Sequence, residues 1–101
     1  MSADDYLEWY VEKKFVVSME DAGWECLKAD KIKRGWSDQI CFGPGPRTVI
    51  VEFKRYGARP RVGEKLQNHY RNKFKEMGFE VHKVTGMIAM ERLRDRLLRV
   101  V

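Results

Sequence analysis

At 101 residues, with 44% hydrophobic and 35% charged side chains, the chain is expected to fold as a single domain over 1–101, with one core and no room for a second. No apolar run nears the roughly 20 residues that cross a bilayer, and the acidic Met-Ser-Ala-Asp-Asp-Tyr start lacks the basic and apolar parts of a secretion signal, so a cytoplasmic protein is expected. The net charge of +5 is concentrated: residues 54–75 hold eight Lys or Arg against Glu64 alone, which points to a polyanionic partner.

In chain order, Leu7, Val11, Phe15 and Met19 form an i, i+4 row. That row predicts a helix over residues 4–22, with Ser2 or Asp4 as N-cap and Gly23 as the stop. Residues 24–28 alternate apolar and polar and predict a first strand, followed by a basic loop over 29–36. A second strand is predicted over 37–42, with Asp38, Ile40 and Phe42 on one face. Gly43-Pro44-Gly45-Pro46 then turns the chain into a hairpin with a strand over 47–54, whose β-branched Val49-Ile50-Val51 marks it as buried. After a Gly, Pro and Arg loop over 56–63, Val62, Leu66, Tyr70, Phe74 and Met77 predict a second helix over 62–77, capped by Gly78. A fourth strand over 79–84 and a last helix over 87–100 complete the order αβββαβα. The crossover through the second helix makes the fourth strand parallel to the third. The expectation is an α/β fold with a mixed central sheet flanked by helices. Cys26 and Cys41 lack CxxC spacing and a nearby His, so both are expected to be reduced, in the core or at an edge. His69 and His82 have no metal-ligand spacing and are expected at the surface or at an interface.

The chemistry gathers at the end of the third strand. Alternation puts Glu52 and Lys54 on one face, about 7 Å apart at about 3.3 Å per residue, while Val51 and Phe53 turn into the core. Asp38, on the preceding strand, is placed to join them. A hard cation such as Mg²⁺ or Mn²⁺ takes oxygen ligands and keeps several waters. Asp38, Glu52 and the backbone carbonyl of Phe53 therefore suffice as a metal set, and metal-dependent phosphodiester hydrolysis is the chemistry they allow. Lys54 would orient the attacking water or stabilise charge on the phosphorane. A Glu-x-Lys triplet alone is common, and an ordinary ion pair on an exposed sheet gives the same pattern. Its weight comes from Asp38, the apolar strand leading in and the basic segment leading out.

Lys28, the run Arg34-Gly35-Trp36-Ser37-Asp38, Val49-Ile50-Val51-Glu52-Phe53-Lys54, Gln67 and Gly78-Phe79-Glu80-Val81 together resemble a stand-alone virus-type replication-repair nuclease (VRR-NUC) domain. That family belongs to the PD-(D/E)xK nuclease superfamily, with the restriction-endonuclease-like fold, and the resemblance spans about residues 12–84. It implies Glu12, Asp38, Glu52, Lys54 and Gln67 as catalytic residues, with Asp38, Glu52 and the Phe53 carbonyl on the metal and Glu12 reaching it through water. The family's usual Pro before the Asp is Ser37 here. Glu12 on its own also reads as a helical Glu paired with a nearby Lys, and Gln67 as a polar surface residue able to hydrogen-bond Lys54. The implied function is a Mg²⁺- or Mn²⁺-dependent DNA endonuclease acting on four-way (Holliday) junctions or other branched DNA. The implied setting is a homodimer in a bacterial or phage-infected cell.

Expected DNA contacts are Lys28, Arg34, Arg55, Arg59 and Arg61, with Lys65, Arg71 and Lys75 on the outward face of the second helix. With no recognition helix in sight, they would read backbone and shape. Met90, Leu93, Leu97 and Val100 in the last helix suit either a dimer interface or a cover over the chain's own sheet. Trp9 and Trp36 are candidates for an interface or for stacking on DNA. Competing readings are a non-catalytic nucleic-acid-binding module, a basic face for an acidic protein, and an archaeal-type junction resolvase.

Overall fold

Alternation along the third strand sets the architecture. In the computed structural model, which describes residues 6–99 except 56, 58 and 60, the elements are α1 (Glu8–Asp21), β1 (Glu25–Lys28), β2 (Gln39–Gly43), β3 (Arg47–Lys54), α2 (Glu64–Glu76), β4 (Glu80–Thr85) and α3 (Gly86–Leu97). A short 3-10 turn, Ala29–Lys31, lies in the loop after β1. The sheet order is β1-β2-β3-β4. Both hairpin pairings are antiparallel, and β4 runs parallel to β3, from Val49 opposite Glu80 to Lys54 opposite Thr85. The predicted order and crossover stand.

Val49, Val51 and Phe53 face a core built with Val11, Phe15 and Met19 of α1 and Met87, Met90, Leu93 and Leu97 of α3. The rings of Phe15 and Phe53 meet at 5.4 Å. The opposite face, with Ile50, Glu52 and Lys54, lies under α2. None of the described residues of α2 is fully buried; it rests on an aromatic cluster instead. Phe74 meets Trp36 at 5.7 Å, Tyr70 at 6.0 Å and Phe79 at 6.4 Å. Gly35 admits this contact. At φ +90° its backbone is left-handed, and a Cβ there would fall 2.7 Å from Leu66 Cδ2.

Three expectations are corrected, and of the two readings of the α3 row the cover over the chain's own sheet is the one observed. α1 begins at Glu8 because Leu7 is extended (φ −65°, ψ 148°) at the N-cap, which leaves Leu7 half-exposed and off the core row; Ser2 and Asp4 lie outside the described residues. α2 begins at Glu64 because Gly63 is left-handed (φ 88°), so Val62 is 98% exposed and off the stripe. Met77, also 59% exposed, follows the end of that helix. Met90, Leu93 and Leu97 are buried against the chain's own core, so they are not a dimer interface; Val100 lies outside the described residues. Cys26 and Cys41 face each other across β1 and β2 as free thiols, as expected. Among the described residues no helix is long and apolar enough to cross a membrane.

Candidate active site

Asp38 immediately precedes β2. Gln39 pairs with Val51, so the next step of the antiparallel ladder sets Asp38 opposite Glu52. The Phe53 N–H donates to Asp38 Oδ2 at 2.7 Å. In a strand, the N–H and C=O of one residue lie on the same edge, so the Phe53 carbonyl also turns toward Asp38. Burial pushes the Asp38 carboxyl up to about 6; the Phe53 hydrogen bond and Lys28 oppose this, while Glu12 and Asp30 add to it.

Glu52 is 1% exposed. Its Oε2 accepts from Arg71 at 3.2 Å and lies 4.0 Å from Lys54 Nζ. Its Oε1 is buried with no hydrogen-bond partner among the described residues. Lys54 Nζ donates to Gln67 Oε1 at 3.0 Å, which fixes the ammonium beside the carboxylate. Gln67 and Arg71 sit one helical turn apart and so share a face of α2. Arg71, expected on the outward face, is therefore turned inward, where it also donates to Asn68 Oδ1 at 2.8 Å. The reason is electrostatic: a carboxylate as buried as Glu52 requires a cation beside it.

Glu12 lies on the other side of the sheet. It accepts from Lys28 Nζ at 2.7 and 2.9 Å and from Gln39 Nε2 at 2.6 Å. Lys28 Nζ is also 3.6 Å from Asp30 and 4.0 Å from Asp38. Burial opposes the Lys28 charge, yet the hydrogen bond to Glu12 and the three carboxylates outweigh it and raise its pKa. The predicted residues thus form two groups on opposite faces of the sheet: Glu12 with Lys28 toward α1, and Glu52, Lys54 and Gln67 toward α2. Asp38 joins them at the strand ends.

Gln39 is a site residue that sequence reasoning missed. It is only 4% exposed, and its place one residue after Asp38 already put an amide on the core face of β2, where it needs a partner. Its Oε1, like Glu52 Oε1 and Asp30 Oδ1, is a buried acceptor unpaired among the described residues. Among those residues no group of three or more His, Cys, Asp or Glu side chains converges on a metal position. Two carboxylates, a carbonyl and leftover acceptor oxygens nevertheless fit a hard cation that keeps most of its waters.

The basic residues flank this end of the sheet. Arg55, Arg59 and Arg61 are exposed and, with Lys54 and Lys83, line a cavity of about 160 Å³. Glu8 ties their loop to α1, accepting from the Arg55 N–H at 3.1 Å and from the Arg61 guanidinium. Arg34, Lys65 and Lys75 are exposed. His82 pairs with Glu80 at 2.7 Å at the far end of β4, and His69 is exposed against Tyr70, so neither takes part.

A mixed four-stranded sheet covered on one face by α1 and α3 and on the other by α2 is the α/β architecture that the sequence led us to expect. More particularly, the chain has the fold of a solved structure described as a VRR_NUC domain, with a TM-score of 0.72 over 85% of this chain and 91% of the other, at 22% identity. No protein-family model matches the sequence, and no curated protein matches it.

Proposed function

We propose that the protein is a VRR-NUC nuclease, a Mg²⁺- or Mn²⁺-dependent, structure-specific DNA endonuclease that hydrolyses phosphodiester bonds in four-way junctions or other branched DNA. The hydrogen bond from the Phe53 N–H to Asp38 carries this reading. It sets the Asp38 carboxylate against the Glu52–Phe53 peptide, with Lys54 held close by through Gln67. The shared fold and the arginines beside the site support it.

When bound, a divalent cation supplies charge against the phosphate and acidifies a water. Asp38, Glu52 and the Phe53 carbonyl would hold it, and Glu12 would reach it through water. Lys54 orients the attacking water and donates to the phosphoryl oxygens as they gain charge. Arg71 balances Glu52 before DNA arrives, and Arg55, Arg59 and Arg61 take the flanking phosphates. Selection among DNA structures then rests on backbone geometry, because among the described residues no element is built to read base edges.

Two-fold symmetry suits a dimer to a four-way junction. With the α3 row spent on the monomer core, such a dimer in the cytoplasm uses another surface. The test is cleavage of a labelled four-way junction, a flap and a linear duplex, each with Mg²⁺, Mn²⁺ or EDTA. Metal-dependent cuts in the branched substrates alone are expected. Binding of all three without cuts would leave a non-catalytic module acting through residues 54–75, and equal cutting of the linear duplex would overturn the structural preference.

A further inference from the structure

We infer, on the nuclease reading above, that Trp9 is a stacking platform for an unpaired base of the DNA strand entering the site. Trp9 lies in the first turn of α1, off the buried row of Val11, Phe15 and Met19, and is 62% exposed. It meets Tyr10 at 5.9 Å with the two planes at 84°. Trp36, the other candidate, is packed edge-on against Phe74 and belongs to the α2 cluster.

Two open cavities share Trp9 as a wall. One, of about 480 Å³, is lined by Trp9, Leu7 and Glu8 with Arg55, Arg59 and Arg61. The other, of about 380 Å³, is lined by Trp9, Val16 and Val17 together with Glu12, Lys28 and Gln39 of the site. A strand that runs from the arginines of the first cavity to Glu12, Lys28 and Gln39 of the second passes over the indole that the two share. Phosphates alone would need no apolar wall there, whereas Trp9, Val16 and Val17 match the flat apolar face of a base. Stacking of this kind tolerates any base identity. In a duplex both faces of each base are already covered, so the platform favours unpaired nucleotides such as those at a branch point.

The test is fluorescence anisotropy in EDTA, with a poly-dT strand and a duplex of equal length as probes. The proteins are the wild type, Trp9→Phe and Trp9→Ala, each checked for an unchanged thermal melt. Trp9→Ala is expected to bind the single strand roughly 5- to 100-fold more weakly, with duplex affinity changed less than about twofold, and Trp9→Phe to keep most of the single-strand affinity. Junction cleavage by the wild type in Mg²⁺ is measured alongside. A wild type that neither binds nor cuts DNA would defeat the nuclease reading and this inference together. A wild type that cuts the junction while Trp9→Ala binds the single strand undiminished would overturn the stacking inference alone. An equal loss on both probes would overturn it too, as would a dimer that dissociates in Trp9→Ala while the single-strand to duplex ratio holds.

Discussion

Asp38 shows what the site costs the fold. Its carboxyl titrates at about 6 in the folded protein, against about 3.9 in an unfolded chain. The folded state therefore binds the extra proton between those values. The stabilisation from that proton is complete below about pH 4 and is lost as pH rises through 6, a change of about 2–3 kcal/mol. Asp38→Asn keeps an oxygen to accept from the Phe53 N–H but carries no charge. In EDTA its melting temperature is expected to match wild type near pH 4 and to exceed it increasingly through pH 6. Saturating Mg²⁺ should then raise wild type, by about 2.7 kcal/mol at 100 times Kd, and leave Asp38→Asn unmoved. Arg71 gives a second measurement at this scale. Arg71→Gln leaves the buried Glu52 charge without its main partner, and a loss of about 3–5 kcal/mol in chemical denaturation is expected. Most of it should return in the Arg71→Gln/Glu52→Gln double variant. Strand alternation and charge singled out Glu52, Lys54 and Asp38 in the sequence, and the structure gathers them at one end of the sheet. The sequence did not reveal that Arg71 turns inward, because a helix with a thin apolar stripe leaves the direction of a long cationic side chain to whatever lies beneath it.

At the scale of elements, the strands were the legible part. β-Branched runs, the Gly-Pro-Gly-Pro turn and the crossover length are local signals, and they led to the observed pairing and to the parallel β4. Helix starts were not legible in the same way. Periodicity says which residues face inward, but the extended Leu7 and the left-handed Gly63 decide where coiling begins. The α3 row was ambiguous for another reason: an apolar row demands burial without saying against what, and α1 and the sheet supply it here. The least secure element is α2, which carries Gln67 and Arg71 yet is held by aromatic contacts at a glycine approach. Gly35→Ala would drive a methyl into Leu66 and Tyr70 from a left-handed backbone. A loss of about 1–3 kcal/mol is expected, with faster hydrogen exchange in α2 than in α1 or α3. Uniform loosening of all three helices would contradict this.

For the whole molecule, the fold sets charge of opposite sign side by side. The carboxylates collect at one end of the sheet, and the arginine loop at the exit of β3 lies against them, tied to α1 by Glu8. DNA binding is therefore expected to weaken steeply with salt, and Arg55→Ala or Arg59→Ala should each lower the slope of log K against log salt by about one. A slope unchanged in both would remove that loop from the DNA path. The central claim, that Asp38 and Glu52 form a metal-dependent cutting site, is tested most directly by single-turnover cleavage of a four-way junction by wild type and by Asp38→Asn, in Mg²⁺ and in EDTA. Cutting by wild type in Mg²⁺ only, slowed about 100-fold or more in Asp38→Asn, is the expected result. Cutting by Asp38→Asn at the wild-type rate, or a junction left intact by folded wild type in Mg²⁺, would contradict it.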